Sequence, residues 1–447
     1  MMIKTKDRIN YIINEIVDQY TYADSTEKPW IIGFSGGKDS TALLTLVWKA
    51  LLKVKEELPE PYQLRRPVYV VCNDTMVENP IIVEYTDRVL EKIGTAAKEQ
   101  SLPIFVQKNI PRLEDSFWVN VIGRGYPVPN NAFRWCTDKL KIKPTSRFIS
   151  DQVSEKGEAI ILIGTRSAES QARAQSMKKH AIRGKRLTKH PNEANTFVYA
   201  PIRDLMLEEV WGIIHQDAPW GGDNSELYSI YRDASADDYE CPTMVTNKKH
   251  SSCGQSRFGC WTCTVVPKDK SMSSLINNGF EWLKPLLDLR QSMVEERNKP
   301  ENRKTTRRDG TAAVNGMGTY SDKYKRNLLR QVLETQKELQ SIKPHIELIT
   351  NQELIAIQAA WYRDLVFKPL VSDIYNKVYK TDIDMDKQND KVQKEVELLK
   401  KVCNGSPQDF DLIQELLILQ KNKSLLNRKR GLKDDMERVI EKYLNNN

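Results

Sequence analysis

Apolar positions in the first half of the chain follow two rhythms. Ile9, Ile12, Ile13, Ile16, Val17 and Tyr20 recur at helical spacing, which predicts an amphipathic helix near the start. Trp30-Ile31-Ile32-Gly33-Phe34 is apolar throughout and reads as a buried strand. Ser35-Gly36-Gly37-Lys38 breaks that run, and Leu43, Leu44, Val47, Ala50 and Leu51 then mark one face of a second helix. A strand over 67–72 ending at Asn73-Asp74-Thr75, a helix over 80–99 and a strand near 103–106 continue the alternation. After a loop-rich stretch, 159–164 supplies another all-apolar strand. Strands that are apolar on both faces and separated by helices predict an α/β fold, a parallel sheet with helices on both faces.

The rhythm changes further on. From 220 to 270 it dissolves into Gly, Asn, Asp and Cys, as expected of a metal-organised insertion. The stretch 295–327 is basic and punctuated by Gly310, Gly316 and Gly318, and helices are expected over 328–339 and 351–365. The Lys-rich remainder carries an apolar stripe of Leu412, Ile413, Leu416, Leu417 and Leu419. This gives an α/β domain over 1–219, a Cys-rich cluster-binding insertion over 220–294 and a basic, mostly helical C-terminal part over 295–447.

Composition narrows the class. With 447 residues, 40% hydrophobic and 29% charged, the chain is an ordinary globular protein and not a fibre or a disordered tail. It has no apolar run long enough to span a membrane and no apolar leader at its start, so the cytoplasm is the expected compartment, with no membrane partner. A net charge of +8 permits a polyanionic partner without demonstrating one.

The strongest chemical signal is Ser35-Gly36-Gly37-Lys38-Asp39-Ser40-Thr41, lying between a strand and a helix. Two glycines let the backbone turn tightly, so its N–H groups converge on an anion at the helix N-terminus; the hydroxyls and Lys38 add donors and a cation. Asp39 after Lys38 distinguishes this from a Walker loop. Asp74 ends the second strand, where a carboxylate can hold Mg²⁺ or a ribose hydroxyl. Arg166 in Gly164-Thr165-Arg166-Ser167-Ala168-Glu169-Ser170 suits bidentate phosphate contact, with Glu169 fixing it or a substrate hydroxyl.

Cys241, Cys253, Cys260 and Cys263 are spaced C-x11-C-x6-C-x2-C. Four thiolates suit a Zn²⁺ knot or a [4Fe–4S] cluster, and spacing does not choose between them. Cys136 stands apart, flanked by Arg134 and Lys139 with Lys141, Lys143 and Arg147 close in sequence; cations lower a thiol's pKa, which makes it a candidate reactive thiol. Cys72 ends an apolar strand and is expected in the core. Two basic runs, one from Arg173 through Lys178, Lys179, Arg183, Lys185 and Arg186 to Lys189, the other Arg297, Arg303, Lys304, Arg307 and Arg308 with Tyr320 and Tyr324, are candidate contacts for a polyanion, DNA if the resemblance below holds.

The phosphate loop resembles the pyrophosphatase loop of the adenine-nucleotide α-hydrolase superfamily, and the Asp74 and Arg166 segments resemble its phosphoadenylylsulfate reductase branch. Over 33–319, Phe117-Trp118-Val119-Asn120-Val121-Ile122-Gly123-Arg124-Gly125-Tyr126-Pro127, Phe133-Arg134-Trp135-Cys136-Thr137-Asp138 and Ser256-Arg257-Phe258-Gly259-Cys260-Trp261 resemble the DndC family, the sulfurtransferases of bacterial DNA phosphorothioation. The resemblance implies an ATP pyrophosphatase with Lys38, Asp39, Asp74 and Cys136 as catalytic residues. It implies ATP, Mg²⁺ and a [4Fe–4S] cluster as cofactors, the cluster held by the four spaced cysteines. DNA, a cysteine desulfurase, an ATPase subunit and a small DNA-binding subunit are the implied partners. Three rivals share parts of the pattern. They are a phosphoadenylylsulfate reductase, whose Glu-Cys-Gly motif is missing near the C-terminus; an iron–sulfur tRNA thiolase; and a non-catalytic nucleic-acid-binding subunit with a zinc knot.

Overall fold

The computed structural model describes residues 2–22, 28–57, 64–169, 185–234, 259–308, 310–364 and 369–383, with short pieces at 174–175, at 178 and beyond 396. Two compact units divide the chain: Met1–Arg112 with Pro129–Leu283, and Leu113–Val128 with Lys284–Asn447.

The first unit is an α/β layer structure around one six-stranded sheet of order β3-β2-β1-β4-β6-β5. Its strands are β1 (Trp30–Gly33), β2 (Val68–Asn73), β3 (Ile104–Asn109), β4 (Ala159–Leu162), β5 (Thr188–Lys189) and β6 (Thr196–Tyr199). All neighbours pair in parallel except β5, which runs antiparallel to β6. Helix α1 (Met2–Thr21) precedes the sheet, and α2 (Lys38–Glu57), α3 (Pro80–Glu99) and α4 (Lys143–Lys156) supply the crossovers. Ile31, Val71, Ile161, Ile163 and Val198 form one apolar layer with Ile149 of α4. The alternate positions Trp30, Ile32, Val70, Ile160 and Leu162 are buried as well. A strand pair buried on both faces needs no polar alternation, which is why these segments are apolar throughout.

Chain direction across the sheet reverses between β1 and β4. From β1 the chain steps outward to β2 and β3, then returns to place β4 on the other side of β1. A crevice opens at such a switch point beyond the strand C-termini, where the loops diverge.

Three segments differ from the sequence expectation. Within 220–270, Ser225–Ala234 is a helix, α6, following α5 (Leu207–Ile214). Leu227, Ile230 and Tyr231 bury its inner face, a helical spacing masked by the flanking Gly, Asn and Asp. The loop-rich stretch after β3 contains two π-helical turns, Val119–Gly123 and Thr137–Ile142. The basic stretch before 327 closes on itself through bridges between Arg303 and Tyr320 and between Thr306 and Ala312. Tyr320 and Tyr324 are core residues of that unit and not a nucleic-acid surface.

The second unit is helical: α8 (Lys284–Glu296), α9 (Asp322–Gln340), α10 (Asn351–Arg363) and α11 (Val371–Tyr379), with α7 (Lys270–Asn277) preceding them in the first unit. Its buried Trp118 and Trp361 donate their indole N–H groups to the carbonyls of Leu348 and Ile122, at 2.7 and 2.9 Å. Of the apolar stripe, Leu412, Ile413 and Leu416 are half-buried and Leu417 is exposed, while Leu419 lies outside the described residues.

Candidate functional site

The phosphate loop is built by backbone constraint. Phe34 N–H still pairs with Val71 O at 2.8 Å, the last rung of the sheet, and α2 starts at Lys38. Gly36 sits at φ +74°, and a Cβ there would come within 2.7 Å of Thr86 Oγ1, so glycine is required by conformation and by space. Ser40 Oγ donates to Gly37 O at 2.9 Å and lies 3.3 Å from both the N–H and Oγ of Ser35, tying the loop to the first helical turn.

The loop after β4 meets it directly. A Cβ on Gly164 would lie 3.0 Å from Asp39 O, a close approach that only glycine permits without displacement. Two residues on, Arg166 donates Nε–H to Asp39 Oδ1 at 2.6 Å, with Glu169 Oε1 at 3.8 Å. Lys38 Nζ lies 3.4 Å from Asp39 Oδ2. Lys38, Asp39 and Arg166 are all buried, and the buried Oγ1 atoms of Thr41 and Thr165 at the same junction have no hydrogen-bond partner among the described residues. A buried Lys–Asp–Arg set at a helix N-terminus, with unspent hydroxyls beside it, fits a polyphosphate.

Tyr231 of α6 was not singled out by the sequence. Its hydroxyl accepts the Lys38 backbone N–H at 3.2 Å, and its ring lies 5.3 Å from Lys38 Nζ. No local pattern marks it, because the contact spans the chain from the loop to α6.

Asp74 ends β2 as expected, and both of its oxygens are engaged: Oδ1 accepts the N–H of Met76, which sits at φ +63°, and Oδ2 lies 3.1 Å from Lys108 Nζ. A Mg²⁺ ion at Asp74 would compete with Lys108. Glu78, beyond it, is half-buried and its carboxyl is pushed up to about 7 by burial, with Asp74 adding to the rise and Lys141 and Lys108 opposing it.

The Cys260-x-x-Cys263 turn docks on this same strand end. Cys260 bridges antiparallel to Glu78, Trp261 N–H donates to Val77 O at 3.0 Å, and Cys263 N–H donates to Cys260 O at 2.9 Å. Cys260 Sγ lies 3.2 Å from Thr75 Oγ1, and burial pushes its thiol up to about 12, with Lys141 opposing. Cys241 and Cys253 lie outside the described residues, as do Ser170, Arg173, Lys179 and Arg183. Two thiols on one tight turn fit two ligands of a four-thiolate centre; among the described residues no three His, Cys, Asp or Glu side chains converge as a metal site.

Cys136 is half-buried and caps the π-helical turn Thr137–Ile142, five residues before the Lys141 that acts on both Glu78 and Cys260. Thr145, on α4, receives Asn73 Nδ2–H at 2.7 Å, which fastens this segment to the end of β2. Cys72 is buried, and burial pushes its thiol up, as suits a core residue. All of these groups belong to the first unit.

Several basic candidates have structural partners. Arg186 pairs with Glu15 and Asp18 of α1, and Lys304 with Asp322. Arg303 donates to the carbonyls of Arg297, Met317 and Gly318. No described helix is long and apolar enough to cross a membrane.

An α/β sheet with a phosphate loop at its switch point defines a nucleotide-phosphate-binding class. Residues 29–266 match the phosphoadenosine phosphosulfate reductase domain, and the chain belongs to that family. A 182-residue stretch, 40% of the chain, is 25% identical to an uncharacterised protein of Methanocaldococcus jannaschii, of which it spans 32%. The chain therefore matches about a third of that relative's length. Similar solved structures include FMN adenylyltransferase of Candida glabrata in complex with FMN and an ATP analogue (TM-score 0.32, 12% identity, 62% of this chain and 74% of that one). Others are phosphoadenylyl-sulfate reductase of Candida auris (0.28, 14%, 46% and 83%) and the U34-tRNA thiolase NcsA of Methanococcus maripaludis with its [4Fe–4S] cluster (0.29, 14%, 65% and 81%). Scores this low carry no functional information.

Proposed function

We propose that the chain is an ATP-dependent sulfurtransferase of the DndC type, which activates a DNA backbone phosphate and replaces a non-bridging oxygen with sulfur. The observation that carries this reading is the buried contact of Asp39 with both Lys38 and Arg166, which joins the loop before α2 to the loop after β4 at the sheet's switch point. Family membership supports the nucleotide chemistry, and the residue patterns around Cys136, Arg124 and Cys260 support the DndC assignment.

The first step is attack of a DNA phosphate oxygen on the α-phosphorus of ATP, with loss of pyrophosphate. The α2 N-terminus, Lys38 and Arg166 bind and neutralise the leaving pyrophosphate, while Asp39 holds both cations in place. A Mg²⁺ ion that displaced Lys108 from Asp74 would add charge neutralisation. A sulfur nucleophile then attacks the activated DNA phosphorus and AMP departs, carrying the former DNA oxygen. If Cys136 carries the sulfur as a persulfide, a second thiol must cleave the resulting S–S bond. That cleavage frees the thiophosphate and leaves a disulfide on Cys136 for a reductant to open. Cys260 and Cys263, with Cys241 and Cys253, would hold a [4Fe–4S] cluster, which supplies redox or sulfur-handling chemistry when bound. A cysteine desulfurase would donate the sulfur, and an ATPase and a small DNA-binding subunit would assemble with the chain in the cytoplasm.

Anaerobically purified protein, incubated with ATP, Mg²⁺, a sulfide source and DNA, should release pyrophosphate. Nuclease digestion of that DNA followed by mass spectrometry should reveal phosphorothioate dinucleotides. Lys38→Ala should abolish both while leaving the visible spectrum unchanged. Equal pyrophosphate release by the variant would remove the loop from the mechanism, and thiolated tRNA in place of DNA would move the substrate to RNA.

A further inference from the structure

The segment Gly123-Arg124-Gly125-Tyr126 belongs to the second unit and has no part in the phosphate-loop chemistry. Its two glycines bring a different element to each side of Arg124. A Cβ on Gly123 would lie 3.3 Å from Ala360 Cβ and 3.5 Å from Ile357 Cα, so α10 packs closely here, and the charge of its last residue, Arg363, acts on Arg124. Gly125 sits at φ +71°, accepts Tyr320 N–H at 2.7 Å, and leaves 3.2 Å between a Cβ and Tyr320 O. That contact brings in the basic hairpin, whose Arg308 donates Nη1–H to Arg124 O at 2.8 Å.

The platform beneath Arg124 is over-determined. The π-helical turn closes with Arg124 N–H on Val119 O, and Tyr126 N–H returns to Asn120 O, both at 2.9 Å. Asn120 donates Nδ2–H to Ser116 O at 2.8 Å and presents Oδ1 3.5 Å from Arg124 Nη1. π-Type turns interrupt ordinary helical bonding and recur at functional sites.

From this convergence we infer that Arg124, Arg308 and Arg363 form a binding site for a backbone phosphate of nucleic acid, an inference that rests on the nucleic-acid substrate proposed above. Arg363 is exposed, and Arg124 and Arg308 are half-buried. The carboxylates facing the group are Asp364, 3.6 Å from Arg308, and Asp115, which is buried; Tyr126 is the nearby phenol. Burial lowers the Arg124 pKa, and the positive charges of Arg308 and Arg363 lower it further. Like charges held together at a cost are relieved by an anion, and guanidinium forks match phosphate oxygens.

The test uses the full chain and a short fluorescein-labelled DNA duplex, with a matched RNA as second probe, followed by anisotropy over a range of KCl. Arg363→Ala and, separately, Arg124→Lys should each weaken binding several-fold at low salt. The slope of log affinity on log salt should fall by about 0.9 in Arg363→Ala, which loses a charge, and hold in Arg124→Lys, which loses only the guanidinium fork. Arg330→Ala, an exposed arginine on α9, is the control for net charge. Unchanged affinity and slope in both variants, the same weakening in Arg330→Ala, or no binding of either nucleic acid by the wild type would overturn the inference. Binding of an ATP analogue, measured on the same samples, separates the two readings. Weakening confined to nucleic acid supports the arginine site, whereas a wild type that binds nucleic acid but no nucleotide defeats the proposed function alone. A preference for RNA would keep the phosphate site and redirect the substrate.

Discussion

Arg166 Nε lies 2.6 Å from Asp39 Oδ1, a buried ion pair joining residues 127 positions apart. Neither charge has access to bulk water, and Lys38 at 3.4 Å completes a set of two cations on one carboxylate. The pair fixes the loop after β4 against the start of α2, so the phosphate-binding groups are held in place by the fold.

Removing one partner of such a pair strands the other. Arg166→Ala should destabilise the first unit by about 3–5 kcal/mol and abolish pyrophosphate release. Arg166→Lys restores the charge without the planar fork, and should recover stability more fully than activity. Urea midpoints and pyrophosphate assays on both variants check this; equal recovery of the two would deny the fork a role.

Gly36→Ala meets two obstacles that can be separated. The left-handed backbone costs about 1–2 kcal/mol for an L-residue, and the new Cβ meets Thr86 Oγ1 at 2.7 Å. Adding Thr86→Ala should relieve the steric part and leave the conformational part. Nucleotide affinity by calorimetry should then recover in part; full recovery would show that conformation at Gly36 is unimportant.

The cysteines should divide into two groups. Cys263→Ser should lower the metal content per chain, whereas Cys136→Ser should retain both metal and visible spectrum while losing sulfur transfer. Metal analysis with absorption spectra on each variant distinguishes the two roles, and loss of metal in Cys136→Ser would place that residue at the centre instead.

Glu353 makes a pH-dependent contribution in the second unit. Its Oε2 accepts the Thr350 N–H at 3.0 Å in a capping box, yet burial raises its pKa above the ordinary value. A carboxyl raised on folding is without penalty below the unfolded pKa of about 4.3, where both states carry the proton. The penalty grows as pH rises from that value to the raised folded one, and is constant above it. Glu353→Gln keeps a cap acceptor and removes the charge, so the variant should gain stability relative to wild type between acid and neutral pH. Parallel urea midpoints for the two proteins across that range would contradict this.

Much of this architecture was readable in the chain. β1, β2, β4 and α3 are fully apolar or strongly periodic, and their packing follows from that pattern; the phosphate loop is a local turn whose glycines declare it. What was hidden depends on contacts distant in sequence. Tyr231 reaches Lys38 across 193 positions, and Cys260 reaches Thr75 across 185. The π-helical turns escaped because their repeat matches neither strand nor α-helix, and α6 because its polar flanks diluted a short apolar face.

The segment Leu113–Val128 belongs with residues after 283, although it leaves the ribosome far earlier. Phe117, Trp118, Val121 and Ile122 are buried in the finished protein, and Trp118 and Ile122 find their partners at Leu348 and Trp361. During synthesis this apolar stretch therefore waits for more than two hundred further residues before it can be covered. A fragment ending near 283 would lack those partners, so expression of the α/β half alone calls for a polar linker in place of 113–128.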